Sequence, residues 1–171
     1  MSIRLEPATS TEQLQQLAKL AAQIWNEYFI AIISQQQIDY MLDRFQSFTA
    51  LKQQIEQQSY QYYFIVHDQE TVGYTGVKQE AGKLFISKLY LLKQQRGKGY
   101  GGAALEELKT MAEQLGLISM WLTVNRHNSP AIEMYKHKGF VIVREQAADI
   151  GNGFVMDDYV MELALKAALK E

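Results

Sequence analysis

The 171 residues are 47% hydrophobic and 21% charged, with 17 Lys and Arg against 19 Asp and Glu for a formal net charge of -2. That balance fits one globular domain over residues 1–171 and excludes fibrous and disordered classes. The slight acidity argues against nucleic acid as a partner, because such proteins carry a basic surplus, and the absence of cysteine removes disulfides, thiol nucleophiles and thiolate metal sites together.

The opening stretch, MSIRLEPATSTEQLQQL, lacks the apolar run of a secretory signal. No segment approaches the roughly 20 apolar residues a membrane span requires. A cytoplasmic location with no membrane partner is the resulting expectation.

Ile3 to Glu6 read as an edge strand ended by Pro7. Thr9, Ser10 and Thr11 offer hydroxyl N-caps, with Glu12 and Gln13 placed for a capping box. Leu14, Leu17, Ala18, Ala21, Ile24, Trp25 and Tyr28 then recur at helical spacing. Further helices are expected over 36–45 and 50–58, with their glutamines forming a solvated face. Next come Tyr62 to His67, a turn at Asp68-Gln69-Glu70, Thr71 to Lys78, a turn at Glu80-Ala81-Gly82, and Lys83 to Leu92. Together these predict a three-stranded antiparallel meander. A glycine cluster at Arg96 to Gly102 opens a helix carrying Leu105, Leu108, Met111, Ala112 and Leu115, which Gly116 stops. Strand Ser119 to Val124 leads to a short helix with Ser129 as cap and Pro130 as its first residue, ended by Gly139. Phe140 to Arg144 and Asp158 to Leu165 close the chain as strands. The fold class is α/β, a mixed and mostly antiparallel sheet with helices.

The segment Leu89-Tyr90-Leu91-Leu92-Lys93-Gln94-Gln95-Arg96-Gly97-Lys98-Gly99-Tyr100-Gly101-Gly102 is a strand emptying into a glycine-rich turn that opens a helix. Glycines allow close backbone approach, and the first helical N–H groups lack internal partners, so the turn suits a phosphate or pyrophosphate. Arg96 and Lys98 add positive charge. Gly97, Gly99 and Gly102 also satisfy the dinucleotide pattern G-x-G-x-x-G. However, antiparallel strands precede the turn, and the following strand ends Thr123-Val124-Asn125 without the carboxylate that would hold a ribose. A Walker loop fails because Ser or Thr does not follow Lys98.

These residues resemble the GCN5-related N-acetyltransferase (GNAT) family. Arg96-Gly97-Lys98-Gly99-Tyr100-Gly101 matches its acyl-CoA signature. Trp121 to Phe140 is similar to its second motif, an Asn before a short helix, an Ala, a Tyr and then Gly-Phe. The helix end Trp25-Asn26-Glu27-Tyr28-Phe29 and the stretch Gly153 to Met161 are similar to the spermidine/spermine branch.

The resemblance implies the acyl-CoA N-acyltransferase fold and acetyl-CoA as co-substrate, its acetyl group passing directly to the amine of a small, polyamine-like molecule. It implies oxyanion and pantetheine contacts from the backbone of Leu89, Tyr90 and Leu91. The pyrophosphate would lie on Arg96, Gly97, Lys98, Gly99, Tyr100, Gly101 and Gly102. Asn128 would contact pantetheine, Lys138 the 3′-phosphate, and Tyr135 would protonate the leaving thiolate. Glu27 and Tyr28 are the acceptor-site candidates, and Asp157-Asp158, expected in a turn, would attract a polycation. Ser87-Lys88 stands where related enzymes place a carboxylate, so the base is unassigned. A non-catalytic acyl-CoA-binding domain and a dinucleotide oxidoreductase remain as alternatives. His67, His127 and His137 lack metal spacing, so no metal is expected. Tyr62-Tyr63-Phe64 reads as core. The closing strands leave a homodimer open.

Overall fold

The computed structural model describes residues 2–166. Its elements run β1 (Ile3–Pro7), α1 (Thr11–Phe29), α2 (Gln35–Met41), a π-helical turn (Leu42–Gln46), α3 (Phe48–Gln57) and β2 (Tyr60–His67). There follow β3 (Glu70–Glu80), β4 (Lys83–Leu91), a 3-10 turn (Lys93–Gln95), α4 (Tyr100–Gln114), β5 (Ser119–Asn125), α5 (Ser129–His137), β6 (Val141–Gly151) and β7 (Phe154–Ala164). This is the mixed α/β order expected from the sequence. Two compact units share the elements: one takes the residues up to Lys78 together with Lys88–Glu107, the other Gln79–Ser87 together with the residues from Leu108 onward.

In the first unit β1 pairs antiparallel with β2, from Ile3↔His67 to Pro7↔Tyr63. Strand β2 pairs antiparallel with β3, from Tyr60↔Lys78 to His67↔Glu70. Pro7 is tolerated because β1 is an edge strand, where its missing N–H breaks no ladder. Asp68 and Gln69 take positive φ of 48° and 72°, the conformation a two-residue hairpin turn demands. All three α-helices before β2 start on a serine: Ser10, Ser34 and Ser47 each accept from the backbone N–H three residues on. At Ser10 the box is reciprocal, since the Gln13 side chain accepts from the Ser10 N–H at 3.0 Å. The stripe read from α1 is buried at Leu14, Leu17, Ala21, Ile24 and Trp25, while Ala18 and Tyr28 are half-buried and Phe29 joins the buried face. Tyr62 and Phe64 are core as expected, while Tyr63 is half-buried.

In the second unit β4 and β5 run parallel, from Lys83↔Ser119 to Ile86↔Leu122. Strand β7 lies antiparallel between β5 and β6. Leu84, Ile86, Leu108, Met120, Leu122, Phe140 and Met161 form its apolar interior. The closing strands are longer than the sequence suggested, eleven residues each. Their turn is Asn152-Gly153 at φ 55° and 79°, a hairpin signal; the strands escaped because β6 is exposed along most of its length and shows no apolar alternation. Asp157 consequently belongs to β7 and not to a turn, next to Asp158, where the closing strand was expected to begin; the two lie opposite Ala147 and Gln146 of β6. Among the described residues no helix is long and apolar enough to cross a membrane.

Candidate active site

In the first unit, β4 runs into the 3-10 turn, where Gln95 N–H donates to Leu92 O at 2.9 Å and Arg96 N–H to Lys93 O at 3.3 Å. Gly97 and Gly99 follow at φ 77° and 85°, a region that disfavours any Cβ. Ala103 N–H donates to Gly99 O at 3.0 Å, so the amides of Tyr100, Gly101 and Gly102 stand ahead of the first full helical bond. Helix geometry alone makes that end attractive to an anion. Space lies outside the turn, because a Cβ at Gly97 would meet nothing within 4 Å.

The basic residues behave differently from one another. Lys98 Nζ bonds Gln95 Oε1 at 3.4 Å, and the buried Gln95 bonds Glu70 at 3.2 Å. Arg96 folds back: its Nε donates to Leu91 O at 3.4 Å and its guanidinium sits 4.3 Å from the centre of the Tyr28 ring. Its Nη2 is buried without a hydrogen-bond partner, a donor for which an incoming anionic oxygen would be a natural acceptor.

The end of α1 reaches the same loop. Glu27 Oε1 accepts from the Lys93 backbone N–H at 3.3 Å. Tyr28, Phe29 and Trp25 each place a ring 5.6–5.8 Å from that of Tyr90, within the range of edge-to-face packing. Glu27, Tyr28, Tyr90, Arg96 and the glycine turn are thus brought together by the first unit.

Beneath them lies a polar chain that sequence reading did not find. Trp25 Nε1 donates to Tyr74 OH at 2.7 Å, and Tyr74 OH donates to Gln46 Oε1 at 2.7 Å. Gln46 Nε2 donates to Tyr62 OH at 3.2 Å, and Tyr62 OH donates to Gln54 Oε1. Burial pushes both phenols, Tyr62 and Tyr74, well above the ordinary tyrosine range, so they serve as neutral donors and acceptors. Two glycines make room on β3. A Cβ at Gly73 would lie 2.1 Å from Tyr90 O, and one at Gly76 would lie 2.5 Å from the Tyr62 ring. Two glycines inside a strand are a legible mark of close approach, yet nothing in the sequence says what approaches. Thr75, fully buried, donates from Oγ1 to Lys88 O at 2.6 Å.

Asn128, Tyr135 and Lys138 belong to the second unit. The helix start is corrected by one residue: Asn128, at φ -87° and ψ 70°, is the cap, Ser129 opens α5, and Pro130 falls within the first two positions. The Asn128 carbonyl accepts the first helical bond from Ile132 N–H at 3.1 Å, and the residue is buried. Tyr135 is buried with Ala131 and Ile132 on one face of α5, its ring 5.8 Å from Phe140. Gly139 ends the helix at φ 100°, and Phe140 N–H returns to Tyr135 O at 3.0 Å. Lys138 is half-buried at the C-cap.

His67 stacks near Tyr100, ring centres 4.7 Å apart, and its Nδ1 lies 2.9 Å from Ser2 O. Among the described residues no group of three His, Cys, Asp or Glu could hold a metal ion.

Residues 18–140 match the model of the acetyltransferase (GNAT) family. An uncharacterized N-acetyltransferase of Mycobacterium bovis is 32% identical over 96 residues, 56% of this chain and 61% of that protein. The chain therefore aligns with about three fifths of that relative's length. Spermidine N(1)-acetyltransferase of Thermoplasma acidophilum is 24% identical over 161 residues, covering 92% of this chain and 97% of that one. In fold, the chain is similar to PaiA N-acetyltransferase from Thermoplasma acidophilum in complex with coenzyme A, with a TM-score of 0.76 at 23% identity over 96% of this chain and 99% of the other. The match to the family model spans well over half of the chain, both glycine turn and Tyr135 included, and the chain belongs to the GNAT acetyltransferase family.

Proposed function

We propose that the chain is an acetyl-CoA-dependent N-acetyltransferase acting on the amine of a small, polyamine-like molecule, its residues 1–171 working as one catalytic domain. The observation that carries this reading is the glycine turn at the start of α4, with left-handed Gly97 and Gly99 and helical amides at Tyr100–Gly102. Together with the buried, partnerless Arg96 Nη2, that turn has the donors and the space a pyrophosphate requires. Lys98 adds charge beside it, and Lys138 is assigned to the 3′-phosphate.

In this reading the Leu89 and Leu91 amides receive the thioester oxygen, Tyr90 contacts pantetheine, and the second unit's Asn128 is assigned a pantetheine contact of its own. The free amine attacks the thioester carbon, the oxygen takes up charge, the nitrogen passes its surplus proton to water, and the C–S bond then breaks. An aligned amide at such an oxyanion supplies about 3 kcal/mol. Tyr135 gives its phenolic proton to the departing thiolate. No acyl-enzyme is involved, consistent with the absence of cysteine. Glu27 and Tyr28 receive the acceptor. A carboxylate and the ring cluster of Tyr28, Phe29 and Tyr90 suit an ammonium-bearing chain, and the similarity to a spermidine acetyltransferase supports the same class. The exposed strand β6 supports a homodimer, and the composition supports a cytoplasmic protein without nucleic-acid or membrane partners.

Thiol release from acetyl-CoA across a panel of polyamines, amino acids and aminoglycosides tests the reading. Polyamines should give the highest kcat/KM, and Tyr135→Phe should lower kcat about 100-fold. Coenzyme A binding without turnover on any amine would leave a binding domain; full turnover in the variant would remove Tyr135 from catalysis.

A further inference from the structure

Strand β4 carries the two amides assigned to the thioester oxygen, and what aims them is visible on β3. The peptide groups of the described residues are all trans, so each carbonyl and the N–H that follows it point in opposite directions. Thr75 Oγ1 holds Lys88 O at 2.6 Å, so that carbonyl faces β3 and the Leu89 N–H projects from the opposite edge of β4. Tyr90 O presses on Gly73, where a Cβ would lie 2.1 Å away, so the Leu91 N–H projects from that same far edge. Leu92 N–H, donating to Val72 O at 2.9 Å, confirms the alternation, since successive N–H groups of a strand leave by alternate edges.

We propose that Thr75 is a positioning residue for the transfer step, its hydroxyl locking and polarising the Lys88–Leu89 peptide so that the Leu89 N–H is a fixed, strengthened donor to the thioester oxygen. This rests on the acetyltransferase reading above. Two features single out Thr75. It is fully buried in the middle of β3 between Gly73 and Gly76, where a valine would fill the same volume without a polar atom. Its hydroxyl also bonds a main-chain carbonyl of the neighbouring strand, Lys88 O. Hydrogen bonding at the carbonyl of a peptide draws electron density from its nitrogen, which strengthens the N–H by cooperative polarisation. The effect is selective for the transition state, because the charge on the thioester oxygen develops only there.

Thr75→Val and Thr75→Ser are compared with the full-length wild type in the thiol-release assay. Thr75→Val should lower kcat about fivefold with KM for acetyl-CoA nearly unchanged, and Thr75→Ser should restore kcat. The amide 15N resonance of Leu89 should shift in the valine variant and return in the serine variant, a readout that needs no turnover. Equal kcat for wild type and valine variant, an unmoved Leu89 resonance, or a serine variant as slow as the valine one would each overturn the proposal. If Thr75→Val does not fold, the serine variant and Thr75→Ala supply the same comparison. A wild type inactive on every amine would instead overturn the acetyltransferase reading, and the Leu89 resonance would still report on the peptide.

Discussion

Strands β3 and β6 are both eleven residues long, and both contain β-branched residues, yet they live in opposite environments. From Val72 to Val77 every residue of β3 is buried, on both faces. Along β6, Val141, Ile142 and Val143 remain 60%, 40% and 47% exposed. The difference lies in neighbours: β3 has partners along both edges, while β6 is an edge strand paired only with β7. An apolar triplet thus says little about burial. The informative residues are the ones a strand former would not choose, Gly73, Thr75 and Gly76 in β3, each required by something that touches it. On β6 the corresponding signal is charge, Arg144, Glu145 and Asp149, which marks a solvated strand.

The sharpest way to break this contrast is Gly73→Ala. The added methyl would collide with the main-chain oxygen of Tyr90 at 2.1 Å, where no side-chain rotation gives relief. We expect a loss of about 3 kcal/mol in urea unfolding; a loss below about 1 kcal/mol would mean the two strands adjust freely. Next in size is Tyr74→Phe, which strands Trp25 Nε1 and Gln46 Oε1 in the interior. It should cost about 2–3 kcal/mol by the same measurement, and a neutral result would show that water reaches the chain.

A middle case sits between these extremes. Glu162 on β7 accepts from Ser119 Oγ at 2.6 Å and pairs with Lys83 at 2.9 Å, and the Ser119 bond, aided by Lys83, holds its carboxyl below the usual glutamate range. A carboxyl depressed on folding stabilises above its unfolded value of about 4.3, and that contribution fades as pH falls through the lower native value. Ser119→Ala should therefore destabilise by about 1 kcal/mol at neutral pH, with the gap to wild type closing as the solution is acidified below about pH 4. A gap that persists in acid would assign the loss to packing. The smallest effect belongs to the exposed strand. Val143→Lys should change stability by no more than about 0.5 kcal/mol, and in sedimentation it should weaken any association made through β6.

The site was legible where local chemistry is self-sufficient. Helix α1 announced its start through the hydroxyls of Thr9, Ser10 and Thr11 with Glu12 and Gln13 behind them, of which the structure uses Ser10 and Gln13, and its buried face through spacing. The glycine turn announced itself because left-handed positions exclude other residues cheaply. Arg96 is the instructive exception. Its motif position was readable, but its contact with the Tyr28 ring joins residues distant in sequence, and no local rule pairs them. The same holds for Gln46, to which no local rule assigns a partner. A π-helical turn leaves it 1% exposed, bonded to Tyr74 and Tyr62.

Sequence alone determined the order of elements, the start of α1 and the glycine-rich turn at residues 96–102, because each depends on backbone preferences within a few residues. Tertiary structure decided which hydrophobic strand is buried, where Arg96 and Gln46 point, and that Thr75 holds the carbonyl of Lys88. Those outcomes depend on which surfaces meet across strands and helices, and a desolvated polar group finds its partner only after they have met.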